Sequence, residues 1–139
     1  MVAADTFGHL LADRLKIKDV DLPECIVPVP QHPLRLMQRG YNQALEIARP
    51  ISNALGLPIE SRLCKRIRHS RSQTKLAVTE RKRNVRNAFM LNGTNEYRHI
   101  AIVDDVMTTG STITELAKIF CTSGTVYIQA WVCARASSQ

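Results

Sequence analysis

Aromatic residues are scarce in this sequence: one Trp, three Tyr and three Phe among 139 residues. None falls between Arg62 and Arg86, so that stretch has no platform on which the bases of a single strand would stack. Long apolar runs are also missing. None approaches the roughly 20 residues that a bilayer requires. The first residues, MVAADTFGHLL, hold no basic segment followed by a long apolar one, as a secretory leader would. The chain therefore reads as cytoplasmic, with no membrane partner. Cys25, Cys64, Cys121 and Cys133 form no C-x-x-C pair and have no His at ligand spacing, which argues against a zinc site and for buried free thiols. His9, His32, His69 and His99 make no metal-binding pattern either. Gly and Pro number only six each, with no repeat or low-complexity tract, so disorder is excluded.

What is present fits one ordinary globular domain over residues 1–139, with 45% hydrophobic and 22% charged residues. The net charge of +7 is concentrated. Arg62, Lys65, Arg66, Arg68, Arg71, Lys75, Arg81, Lys82, Arg83 and Arg86 are opposed only by Glu80, so this stretch carries +9 and the remainder −2. Such a block is either a solvated surface or the seat of an anionic partner: nucleic acid, an anionic membrane or a small polyphosphate.

Periodicity places a helix over Phe7 to Leu15, capped by Asp5 or Thr6, with Phe7, Leu10, Leu11 and Leu15 on its inner face. A buried strand follows at Cys25-Ile-Val-Pro-Val, then a loop over residues 30–40 broken by Pro33 and Gly40. Helical spacing over Asn42 to Leu55 ends at Gly56, and Pro50 is expected to kink or interrupt it. An extended stretch runs from Ile59 to Ile67, a short helix opens at Thr79, and Phe89-Met-Leu reads as a strand ended by the turn Asn92-Gly93. Ile100-Ala-Ile-Val is a four-residue apolar strand leading into Asp104-Asp105, followed by Thr108-Thr109-Gly110-Ser111-Thr112 and a helix with Ile113, Leu116, Ala117 and Phe120 apolar. Val126 to Cys133 closes the pattern. Strands alternating with helices predict an α/β fold, a mostly parallel central sheet with flanking helices.

Chemistry concentrates in the last of these junctions. A helix N-terminus offers unpaired amides and a positive dipole end, and a hydroxyl-rich turn bending at Gly110 adds donors, which together make a phosphate cradle. Two acids just upstream would repel a bare phosphate. They suit ribose hydroxyls or a divalent cation on the same ligand, which implies a sugar phosphate.

The run Ile100-Ala-Ile-Val-Asp-Asp-Val-Met-Thr-Thr-Gly-Ser-Thr resembles the phosphoribosyl pyrophosphate (PRPP) signature of type I phosphoribosyltransferases, whose core is Rossmann-like. Pro28-Val-Pro, Arg39-Gly-Tyr-Asn-Gln, Arg66-Ile-Arg-His-Ser-Arg-Ser-Gln-Thr-Lys-Leu, Arg81-Lys-Arg-Asn-Val-Arg-Asn-Ala-Phe and the closing Cys133-Ala-Arg are similar to the ComF (competence protein F) family. Many members carry a four-cysteine zinc module ahead of this domain, and these residues contain none. The resemblance implies that Asp104 and Asp105 meet the ribose hydroxyls as catalytic carboxylates and that Thr108, Thr109, Gly110, Ser111 and Thr112 surround the 5′-phosphate. It implies pyrophosphate on the 30–40 loop, with Arg35 and Arg39 as candidates. It makes the 68–83 stretch a closing lid, so Arg68, Arg71 and Lys75, with Arg66 just before them, are lid or pyrophosphate candidates. Mg²⁺ is the implied cofactor, carried on PRPP with no protein cage.

Two function classes follow. One is an enzyme moving the phosphoribosyl group from PRPP to a nitrogenous acceptor. No nucleophile stands beside a base, so no covalent enzyme intermediate is expected. The other is a weak or inactive PRPP or nucleotide-binding module acting in DNA uptake, with the basic stretch on single-stranded nucleic acid. Exposed edges of small sheets of this type often pair, which leaves a homo-oligomer open.

Overall fold

A computed structural model describes residues 2–67, 87–107 and 110–135. The expected helix at Thr79 and the candidates Arg68, Arg71, Lys75, Thr108 and Thr109 lie outside these residues. The chain begins with α1 (Val2–Ile17), followed by β1 (Cys25–Pro28), α2 (Pro33–Arg39) and α3 (Gln43–Leu55). Then come β2 (Cys64–Arg66), β3 (Phe89–Leu91), β4 (His99–Met107), α4 (Ser111–Thr122) and β5 (Tyr127–Arg135). The central sheet has the order β1-β4-β5, all parallel, with Cys25 opposite Ile100 and Ile100 opposite Ile128. β2 and β3 form a separate antiparallel pair, Cys64 opposite Leu91. The expected α/β architecture with a parallel sheet is present.

Why β1 and β4 read as unbroken apolar runs is clear from their two faces. Alternate residues point to opposite sides of a strand, and both sides here are covered. Cys25, Val27, Ile100 and Ile102 pack with Leu116 and Phe120 of α4. Ile26, Ala101 and Val103 pack with Ile47, Ala48 and Ile51 of α3 and with α1. Burying a side chain such as Leu116 or Phe120 stabilises the fold by about 1.5–3 kcal/mol.

Three local expectations are corrected. The 30–40 segment holds a helix. His32 caps it, its Nδ1 accepting from the Leu34 amide at 3.1 Å, and Pro33 occupies the first turn. Gly40, at φ +78°, closes it. The two residues that resembled breakers are start and stop signals. α3 continues through Pro50 without interruption, and that ring is buried against Gly8 of α1. α1 starts earlier than expected and buries Ala4, Gly8, Ala12 and Leu15, leaving Phe7 and Leu10 exposed. A Cβ on Gly8 would lie 2.5 Å from the Ile47 carbonyl oxygen, so small residues form the contact face and the larger ones turn outward.

The four cysteines are free, as expected, yet only Cys25 and Cys64 are buried; Cys121 is exposed and Cys133 half-buried. Burial pushes the Cys25 and Cys64 thiols up to about 12, which makes them inert packing groups. Among the described residues no group of three His, Cys, Asp or Glu could hold a metal ion, and no helix is long and apolar enough to cross a membrane.

Candidate functional site

The parallel sheet delivers β1 and β4 to one rim. Pro28 lies opposite Val103, and the Val29 amide still donates to the Val103 carbonyl at 2.9 Å. The chain after β1 therefore leaves the sheet beside Asp104 and Asp105. These acids belong to β4 itself, which runs on to Met107 because β5 continues alongside, Asp104 opposite Val132 and Met107 opposite Arg135. The four-residue apolar strand of the sequence is only the buried part of this element.

A cavity of about 280 Å³ opens at this rim. Arg35, Arg39 and Arg66 line it together with Asp104, Asp105, Gly110, Ser111 and Thr112. Every sequence-derived candidate among the described residues is thus on one cavity. Each reaches it from a different element: Arg35 and Arg39 from α2, Arg66 from β2, the acids from β4, and Ser111 and Thr112 from the first turn of α4. Gly110 precedes α4 at φ +77°, a left-handed conformation that favours glycine. It provides no side-chain cap to the helix, leaving first-turn donors to be met by other groups.

Charge governs this cavity. Asp104 Oδ1 accepts from the Asp105 amide at 2.9 Å, and Asp105 Oδ1 from the Val106 amide at 2.8 Å. Burial raises the Asp104 carboxyl, with its side-chain hydrogen bond to Asp105 and the neighbouring negative charge adding to the rise, to about 7. The Asp105 amide and Arg66 act in the opposite direction without prevailing. Arg66 is itself lowered, first by burial and then by Arg35, while Asp104 supports its charge. Its guanidinium carbon sits 5.3 Å from the centre of the Phe89 ring, a cation–π contact linking β2 to β3. Two like-charged sets thus share one small space. A ligand with anionic oxygens at one end and hydroxyls at the other would relieve both.

Sequence reasoning assigned no role to Gln31, Asn42, Gln43, Val106 or Met107, which also line the cavity. Asn42 was detectable. Its Oδ1 accepts from the Ala44 and Leu45 amides at 2.9 and 3.3 Å, the signature of a helix N-cap. Its Nδ2 donates to the Val29 carbonyl at 3.1 Å, tying α3 to the segment after β1.

No family model matches the chain. It is 41% identical over 127 residues to competence protein F of Haemophilus influenzae, covering 89% of this chain and 56% of that protein. It is 39% identical over 116 residues to the DNA utilization protein YhgH of Escherichia coli K12, covering 84% and 51%. The chain spans about half the length of the curated relatives it matches. Among solved structures, the allosteric regulatory enzyme of purine biosynthesis superposes with a TM-score of 0.61 at 17% identity, over 94% of this chain and 25% of that one. Glutamine PRPP amidotransferase from B. subtilis gives 0.58 at 17% identity, over 94% and 26%. At this identity the structures speak for the fold, and the sequence matches speak for the kinship. The chain is a ComF-type domain with a type I phosphoribosyltransferase-like fold.

Proposed function

We propose that the cavity binds PRPP and that the domain transfers its phosphoribosyl group to a nitrogenous acceptor. The observation that carries this reading is the meeting of Asp104 and Asp105 with Arg35, Arg39 and Arg66 beside the start of α4 in one cavity. In the reaction the bond from C1′ to pyrophosphate breaks, the bond from C1′ to the acceptor nitrogen forms, and the acceptor gives up a proton. Positive charge grows on the ribose and negative charge on the leaving group. The carboxylates favour the first and the guanidinium groups the second. The α4 start, Gly110 to Thr112, suits the 5′-phosphate.

Two hard carboxylates, with no third His, Cys, Asp or Glu grouped with them among the described residues, fit a Mg²⁺ ion that keeps waters and takes most of its oxygens from substrate. Asp104 and Asp105 are the residues that would hold it, and it would neutralise charge on the departing pyrophosphate. The test is incubation with PRPP, Mg²⁺ and a panel of nitrogenous bases, with pyrophosphate release as the readout. Release that Asp105→Asn lowers sharply supports the reading; none with any base, the variant behaving alike, counts against transfer.

A second reading draws on the relatives' names, competence protein F and DNA utilization protein, together with the +9 stretch. Here the domain meets nucleic acid through phosphates. Affinity for single-stranded DNA should then fall steeply with salt. Binding that is absent or indifferent to salt removes this reading.

A further inference from the structure

The outer edge of β5 differs from the opposite edge of the sheet. At β1 the edge is clasped: the Ile26 amide donates to Pro58 at 2.9 Å, and the Glu60 amide donates to Ile26 at 2.8 Å. β5 is the last strand in the order, and no described residue pairs with its outer side. The Tyr127 amide donates inward to Arg98. Backbone groups alternate sides along a strand, so the amides of Ile128, Ala130, Val132 and Ala134 point outward. Ala130 and Ala134 are exposed, as are Val126 and Tyr127. From Tyr127 to Ala134 the strand holds no charge, proline or glycine. Those are the devices by which monomeric proteins blunt an open edge.

A second feature lies on the same side. α3 covers β1 and β4, while α1 packs against α3 and reaches β5 beyond it. The buried face of α1 is Ala4, Gly8, Ala12 and Leu15. Its other flank, turned away from α3, carries Phe7, Leu10 and Ile17, which are 47%, 57% and 83% exposed. Their spacing of three and seven residues sets them on one stripe, with the exposed Arg14 between Leu10 and Ile17 on the same face.

We infer that this side of the molecule joins a second copy of the chain, the two β5 strands pairing antiparallel about a two-fold axis and the two α1 stripes packing across the join. A two-fold contact needs a self-complementary patch. Apart from Arg135 at its last position the strand is uncharged, so no like charges oppose each other when the two strands pair about their centre. The sheet grows from three strands to six, and the outward amides find partners. The size is adequate. Nine strand residues span about 30 Å, and a 16-residue helix about 24 Å. A contact about 24–30 Å long has the length scale of a stable interface, which buries roughly 800 Å² per copy.

Sedimentation velocity on the whole chain tests this, alongside Ala130→Pro and Leu10→Glu. Proline is tolerated at an edge where the lost amide faced outward, and Leu10 lies on an exposed helix flank, so circular dichroism should be unchanged in both. The wild-type chain should sediment as a dimer, and each variant should raise the dimer dissociation constant at least about 10-fold. A wild-type monomer at tens of micromolar overturns the inference. So does a dimer whose dissociation constant neither substitution changes.

Discussion

The two ends of β4 are built on opposite principles. At its N-terminal end, polar groups are matched within the protein. Glu24 Oε1 accepts from the Arg98 and His99 amides at 2.7 and 2.9 Å. Asn95 Nδ2 donates to Ser123 Oγ and Thr125 Oγ1 at 2.9 and 2.7 Å, and its Oδ1 accepts from the Tyr97 amide. At the C-terminal end, Asp104 and Asp105 repel one another at a cavity that also gathers three arginines. One end uses its polar groups on the fold, and the other leaves its charged groups lining an open cavity. Strand C-termini are where open α/β sheets place ligands, and this chain puts its unbalanced charge there.

The difference can be broken from either side. The largest effect is expected at the acidic end: Asp105→Asn should slow phosphoribosyl transfer about 10²–10³-fold without loss of melting temperature. Pyrophosphate-release kinetics beside thermal melts would check both halves. A smaller effect concerns pH. Asp104 keeps its proton up to about pH 7 in the folded chain, against an ordinary value of 3.8. Between these values the folded state binds more protons than the unfolded state, so stability falls as pH rises and the fall is complete above pH 7. The loss should be about 1–3 kcal/mol by denaturant unfolding across this window, and Asp104→Asn should flatten it. At the other end, Asn95→Ala should cost about 1–2 kcal/mol of stability and leave PRPP binding unchanged. Arg66→Ala should weaken PRPP about 10-fold while altering stability by less than about 1 kcal/mol. A stability loss at Arg66 that matched the one at Asn95 would erase the contrast.

The acidic end was legible in sequence because its parts are adjacent: an apolar tetrad, two acids, a glycine turn and a helix follow one another from Ile100 to Thr122. The basic wall was legible only in part. Arg35 and Arg66 lie 31 positions apart, and only the parallel pairing of β1 with β4, with β2 folded beside them, brings both to Asp104. α2 was missed because Pro33 and Gly40 act as its start and stop, with the same residues that would mark a loop. The inner face of α1 was misread for a different reason. Counting large apolar side chains favours Phe7 and Leu10, whereas close approach to Pro50 requires Gly8 and the alanines around it.

The most direct measurement is a calorimetric titration of PRPP with Mg²⁺ into the wild-type chain and into the Asp104→Asn, Asp105→Asn double variant. Saturable one-site binding is expected in the wild type, with affinity at least about 100-fold weaker in the variant. No binding to the wild type, or equal affinity in both, would contradict a PRPP site at the end of β4.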